Sequence, residues 1–125
     1  MFTAKDGFSS FSVDDLAKAK QFYGETLGLT AEENAMGSLD VRLPSGPRVM
    51  IYPKDNHEPA TFTVLNLVVQ DLEQAVDELN ALGVKTKIYD DPDLPTDSKG
   101  ILVGEGPRIA WFKDPAGNVL SVIQS

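Results

Sequence analysis

The chain has 125 residues, a length typical of one domain with a sizeable buried core. Its net charge of −8 argues against nucleic-acid binding, and the absence of cysteine excludes disulfides, thiolate nucleophiles and cysteine zinc sites. One histidine cannot build a histidine-rich metal site, and no apolar run has the length of a membrane span or the position of a signal-peptide core. We therefore expect a cytoplasmic protein that binds neither nucleic acid nor a membrane.

The first half of the chain is predicted to form a strand, a helix and three further strands. A strand-like run at 7–13 leads into an amphipathic segment at 12–29, which Asp14 or Asp15 can cap and Gly28 can end. One stripe of this helix collects apolar residues: Leu16, Ala19, Phe22, Tyr23 and Leu27. The further strands are expected near 30–34, at 39–44 and, after a Pro-Ser-Gly turn, at 48–53.

The second half is predicted to repeat this order. A strand at 61–69 precedes a helix at 68–84, with Asp71 as its cap and Gly83 as its end. Its apolar stripe contains Leu72, Ala75, Val76, Leu79 and Leu82. The further strands are expected at 85–89, 108–112 and 119–123. An insertion at 90–107, rich in Pro, Gly and Asp, is either a binding loop or a disordered surface loop.

The two halves share an internal repeat. Val13, Asp15, Leu16 and Ala19 in the first half match Val69, Asp71, Leu72 and Ala75 in the second. The sequence therefore predicts an α+β fold made of two βαβββ modules in tandem, with the helices on the outer face of the sheet. We expect the first module to span residues 1–56 and the second to span 57–125.

Two motifs carry a family resemblance. The segment VDDLAKAKQFYGETLGL contains D-L-x-x-A-x-x-F-Y-x-x-x-L-G, and WFKDPAGNVLSVIQ contains F-x-D-P-x-G-N. In both, the chain resembles the vicinal-oxygen-chelate superfamily of glyoxalase I, the extradiol dioxygenases and the bleomycin-resistance proteins. The resemblance covers nearly the whole chain and implies the glyoxalase/bleomycin-resistance/dioxygenase fold, with a curved mixed sheet and a homodimer.

The resemblance also implies where a divalent metal would be held in metal-dependent relatives. The ligands, typically His and Glu, come from the first and last strands of each half. The corresponding positions here are Phe8, Met50, Val64 and Ser121. Phenyl, thioether and isopropyl groups cannot replace imidazole or carboxylate donors, and a neutral serine hydroxyl is a poor ligand. We therefore expect no metal and no other cofactor.

The cavity of the curved sheet is expected either to persist as an apolar pocket or to be filled by core packing. Strand alternation places Ser10 and Ser12 on the face of Phe8, Tyr52 with Met50, and Asn66 with Val64. Trp111 is expected on the strand next to Ser121. The predicted ligand pocket therefore contains Phe8, Ser10, Met50, Tyr52, Val64, Asn66, Trp111 and Ser121.

His57 lies in a polar, proline-flanked linker, where it is either an exposed loop residue or a general base at the mouth of a pocket. No Ser-His-Asp arrangement or carboxylate pair can be placed from spacing. The favoured function is binding of a small organic molecule, such as a cationic antibiotic. The alternatives are a glyoxalase-like lyase, isomerase or dioxygenase without the usual metal site, and a structural or regulatory dimer whose pocket has closed.

Overall fold

The computed structural model describes residues 1–125. The chain forms two compact units, Met1–Pro59 (unit 1) and Ala60–Ser125 (unit 2). Each unit contains a small mixed sheet and a helix, and in each the helix follows the first strand and precedes the remaining strands, three in unit 1 and two in unit 2. The predicted α+β architecture with tandem modules is confirmed.

Unit 1 contains four strands and a short helix. Their bounds are β1 (Ser9–Val13), α1 (Leu16–Lys20), β2 (Thr30–Glu33), β3 (Leu39–Arg42) and β4 (Arg48–Pro53). The helix continues without a break into a π-helical segment, Gln21–Thr26. The strand order is β1-β4-β3-β2, in which β1 and β4 are parallel and the other pairs are antiparallel.

The sheet of unit 1 has two distinct faces. One face is buried and includes Phe11, whose ring centroid lies 6.1 Å from that of Tyr23 in the π-helical segment. The cross-strand neighbours Val49 and Ile51 are also buried. Because side chains alternate along a strand, the residues between them point to the other face. This helix-free face of unit 1 carries Ser10, Ser12, Met50 and Tyr52.

Unit 2 contains three strands and one helix. Their bounds are β5 (Thr63–Val69), α2 (Leu72–Ala81), β6 (Ile109–Lys113) and β7 (Val119–Gln124). The strand order is β5-β7-β6, with β5 parallel and β6 antiparallel to the central β7. The helix packs on β7 and β6, and its apolar residues Leu72, Val76 and Leu79 are buried.

Both helices begin at an aspartate that the repeat predicted. The Asp15 carboxylate accepts a hydrogen bond from the Lys18 amide at 3.1 Å, so Asp15 rather than Asp14 is the cap. Asp71 accepts from the Gln74 amide at the same distance. The second helix ends sooner than its apolar stripe suggested, since Leu82 lies beyond the last turn and is 58% exposed.

The predicted strand at 85–89 is wrong. No ladder forms there, because Ile101 rather than this segment bridges to Ala110 on the free edge of β6. The segment is held by side chains instead. The Thr86 hydroxyl donates to the Lys99 carbonyl at 2.7 Å, and Lys87 Nζ donates to the Thr96 carbonyl at 3.0 Å. The second module therefore has two regular strands after its helix.

The insertion at 90–107 is tied to the rest of unit 2. Lys99 Nζ lies 2.9 Å from Asp77 and 3.2 Å from Glu73, and hydrogen bonds to these carboxylates raise the pKa of Lys99. Gly100 has a φ of +88°, and a Cβ built there would lie 2.0 Å from the Thr86 carbonyl oxygen. Only glycine fits that contact. The segment is a folded loop with its own internal hydrogen bonds.

The F-x-D-P-x-G-N motif forms the turn between β6 and β7. The Asp114 carboxylate accepts hydrogen bonds from the amides of Ala116, at 3.0 Å, and Asn118, at 2.8 Å. The Asn118 side-chain oxygen accepts from the Ala60 amide at 3.3 Å, and both turn residues are buried. This motif therefore joins the first residue of unit 2 to its last hairpin.

The end of β7 also supports the start of α2. Gln124 Oε1 accepts a hydrogen bond from the Leu72 amide at 2.9 Å, and the Ser125 amide donates to the Val69 carbonyl at 3.2 Å. These contacts satisfy a backbone donor in the first helical turn, where no intrahelical partner exists. Neither helix combines the length and the hydropathy that crossing a membrane requires.

Candidate functional site

The helix-free face of unit 2 is centred on Ser121. Its neighbours on β7, Leu120 and Val122, are buried on the opposite face. In the ladder Ser121 lies between Asn66 of β5 and Trp111 of β6. We call these three residues the Ser121 cluster. The parallel and antiparallel pairings of β7 thus bring together residues that are 55 and 10 positions apart in the sequence.

A hydrogen bond fixes the amide of Asn66. The Ser121 side chain is fully buried, and its hydroxyl donates to Asn66 Oδ1 at 2.5 Å. Because the amide oxygen is turned toward the serine, the NH₂ group is directed away from it. Asn66 itself is exposed. The pair therefore presents two amide N–H donors at the surface of the sheet.

An aromatic pair lies on the other side of Ser121, at β6. Trp111 is half-buried and meets Tyr89 edge to face, with ring centroids 5.3 Å apart and an interplanar angle of 81°. Burial raises the pKa of the Tyr89 phenol above its ordinary value. The sequence analysis did not identify Tyr89 as a site residue, because no spacing in the sequence brings it to Trp111.

The predicted pocket residues of unit 1 lie on its helix-free face. Ser10 is paired with Met50, and Tyr52 lies one step further along β4 and is paired with Ser12. Met50 and Tyr52 are half-buried, and Ser10 is exposed. Phe8 is 50% exposed just before β1, and the Arg48 guanidinium carbon lies 4.0 Å from the centroid of its ring. This is a cation–π contact.

His57 is not an exposed loop residue. It is half-buried, and its Nδ1 lies 2.7 Å from the hydroxyl oxygen of Ser12. Forty-five positions separate the two residues, so no local spacing could have indicated the pair. The sequence analysis placed Ser12 on the correct face but assigned it no partner.

The predicted site residues therefore form two sets. Unit 1 groups four of them, and unit 2 groups Asn66, Trp111 and Ser121. Val64 is the remaining member, at a register shift between Thr63 and Leu65 where it has no ladder partner. A bulge of this kind redirects the side chain relative to simple alternation. Val64 is half-buried.

The profile of the Glyoxalase/Bleomycin resistance protein/Dioxygenase superfamily matches residues 8–122. The chain belongs to this superfamily. The match includes both modules and the signature turn between β6 and β7. Among curated proteins, none matches the sequence significantly.

Several solved structures are similar to this chain in fold. TnmS3, an antibiotic-binding protein from Streptomyces sp. CB03234, is 26% identical, with a TM-score of 0.68 and 98% of each chain covered. The fosfomycin resistance protein FosX from Listeria monocytogenes is 17% identical, with a TM-score of 0.69 and 99% of this chain and 95% of FosX covered. The hypothetical protein SA1046 from S. aureus is 19% identical, with a TM-score of 0.70. The match covers 99% of this chain and 96% of SA1046.

The metal that the superfamily implies does not fit the residues of this chain. No three His, Cys, Asp or Glu side chains are grouped at a distance suited to one ion. At one implied ligand position, the hydroxyl of Ser121 is engaged with Asn66. At another, the positive guanidinium of Arg48 lies over Phe8 and would repel a divalent cation.

Proposed function

We propose that the protein binds a small organic molecule at the Ser121 cluster, without a metal ion. The observation that carries this proposal is the hydrogen bond between Ser121 and Asn66, at a position where the resemblance implies a metal ligand. Where metal-dependent relatives would hold a cation, this pair offers the oriented NH₂ group of Asn66 as a hydrogen-bond donor. A neighbouring indole supplies apolar contact area. Apolar walls with a few oriented polar groups are typical of sites for small organic ligands.

A similar solved structure offers a precedent for binding. TnmS3 is described as an antibiotic-binding protein, and it is similar to this chain over almost its full length. The net charge of −8 favours a ligand that carries positive charge, because the acidic surface raises its local concentration. We infer a cationic or neutral ligand, antibiotic-like in size, with a carbonyl or other acceptor that pairs with the Asn66 amide. We further propose that the protein acts as a homodimer.

Trp111 is the only tryptophan, so its fluorescence reports directly on the proposed site. Bleomycin is a suitable first probe, since it is a cationic molecule with several amide acceptors. Saturable quenching by bleomycin, with weaker binding by Asn66→Ala, supports the proposal. Asn56→Ala, which removes an exposed asparagine of unit 1, is the matched control and should bind as the unmodified protein does.

Native mass spectrometry of the protein purified from its own host tests the proposal without assuming a ligand. A retained organic mass and no metal supports it. One stoichiometric divalent metal per chain would overturn it. The same spectrum reports the oligomeric state, and a monomer at micromolar concentration would contradict the proposed homodimer.

A further inference from the structure

The turn after β4 brings the single imidazole of the chain onto a serine of β1. Ser12 Oγ and His57 Nδ1 are 2.7 Å apart, which is the separation of a good hydrogen bond. Both side chains are half-buried. The pair is therefore shielded in part from water but remains within reach of a small molecule.

The backbone holds both partners. Ser12 belongs to the parallel ladder with β4, and the Lys54 amide donates to the Val13 carbonyl at 3.0 Å just beyond it. The His57 amide then donates to the Lys54 carbonyl at 3.1 Å, which closes a turn. These two backbone hydrogen bonds hold His57 beside the end of β1. The imidazole is therefore positioned by the backbone.

A neutral imidazole that carries its proton on Nε2 accepts at Nδ1, and the Ser12 hydroxyl is the donor. A hydroxyl that donates to a base is the arrangement in which serine becomes a nucleophile. Ser9 and Ser10 on the same strand have no imidazole beside them. Tyr52, the cross-strand neighbour of Ser12, supplies apolar surface for a bound acyl group.

The geometry points to Ser12 as a nucleophile, activated by His57, that accepts acyl groups from small esters with good leaving groups. Ser12 Oγ attacks the carbonyl carbon while its proton passes to His57 Nδ1. The ester C–O bond breaks, and the leaving alcohol departs with the bonding electron pair and takes the proton from His57. Water then attacks the acyl-serine, with His57 as the base, and releases the acid and the free serine.

p-Nitrophenyl acetate is the probe. We expect acetylation of Ser12 in preference to the other seven serines, located by peptide mass spectrometry. His57→Gln keeps an acceptor near Ser12 but removes the base, so acetylation of Ser12 should slow by about 10²-fold. Ser12→Ala should remove the adduct entirely, while Ser9→Ala, an exposed serine whose side chain points to the other face of β1, should leave it unchanged.

Acetylation of His57→Gln at the rate of the unmodified protein would overturn the proposal, as would acetyl groups confined to lysines and the amino terminus. Thermal melting of each variant shows whether it is folded. Ser12→Ala removes the proposed nucleophile and His57→Gln removes the proposed base, so each partner is tested separately. The outcome is independent of ligand binding in unit 2. Failure of either proposal therefore leaves the other standing.

Discussion

The hydroxyl of Ser121 donates to Asn66 Oδ1 across the parallel pair of β5 and β7, and the donor is fully buried while the acceptor's residue is exposed. Loss of this bond therefore affects the two partners differently. Water can replace the serine at the exposed amide. It cannot reach the buried hydroxyl as readily.

This asymmetry predicts an unequal response to substitution. Ser121→Ala should lower the free energy of unfolding by about 1 kcal/mol, since only one hydrogen bond is lost. Asn66→Leu, which fills the same space and excludes water, should cost about 1–3 kcal/mol because the buried hydroxyl is left unpaired. Urea denaturation measures both. In the double variant, Ser121→Ala should recover most of the loss, and simple additivity of the two effects would contradict this account.

A second prediction concerns the start of α1, where two aspartates stand side by side. Asp15→Ala should destabilise the protein by about 1 kcal/mol because the Lys18 amide loses its acceptor. Asp14→Ala is the matched control and should change the midpoint of urea denaturation little. Equal effects at the two positions would show that the hydrogen bond from Lys18 to Asp15 adds no measurable stability of its own.

A third prediction separates backbone strain from close contact. Gly100 and Gly104 both have positive φ, but only at Gly100 would a Cβ meet another atom, the Thr86 carbonyl oxygen at 2.0 Å. Gly104→Ala should cost about 1–2 kcal/mol through strain alone. Gly100→Ala should cost about 1–3 kcal/mol more, since the insertion must move away from the 85–89 segment. If Gly100→Ala and Gly104→Ala unfold at comparable urea concentrations, the contact between residue 100 and the Thr86 carbonyl relaxes without a cost in stability.

A fourth prediction follows from the Tyr89 phenol. Burial raises its pKa above the ordinary value of 10.0, so the native state holds this proton after the unfolded state has released its own. Stability attributable to Tyr89 is fully present below pH 10.0 and is lost as the pH rises through the native pKa. An alkaline absorbance titration of the folded protein should show late tyrosine ionisation that is reduced by one group in Tyr89→Phe. Ionisation of all tyrosines together at 10.0 in the folded protein would contradict the prediction.

Local signals predicted much of the fold. The caps at Asp15 and Asp71 and the turn around Gly117 depend on residues within a few positions, and the internal repeat reinforces each of them. Alternation along β4, β5 and β7 also placed Met50, Asn66 and Ser121 on particular faces before any pairing was known. These features require no knowledge of which strands meet.

The misplaced elements depend on pairings between distant residues. The composition of 85–89 suits a strand, but Ile101 occupies the edge of β6 that this segment would need. The pair of Ser12 and His57 arises only because β4 runs parallel to β1 and then turns back over its end. Tyr89 meets Trp111 from outside the sheet. None of these contacts could be predicted from the spacing of residues in a single sequence.

The contact between Gln124 and Leu72 has a consequence for the order of folding. Asp71 can initiate α2 locally, but the Leu72 amide gains its partner only when a residue 52 positions later has docked. Closing a loop of that length carries an entropic cost that local contacts avoid. The first turn of α2 is therefore completed only when β7 joins the sheet, and helix and strand reach their final form in the same step.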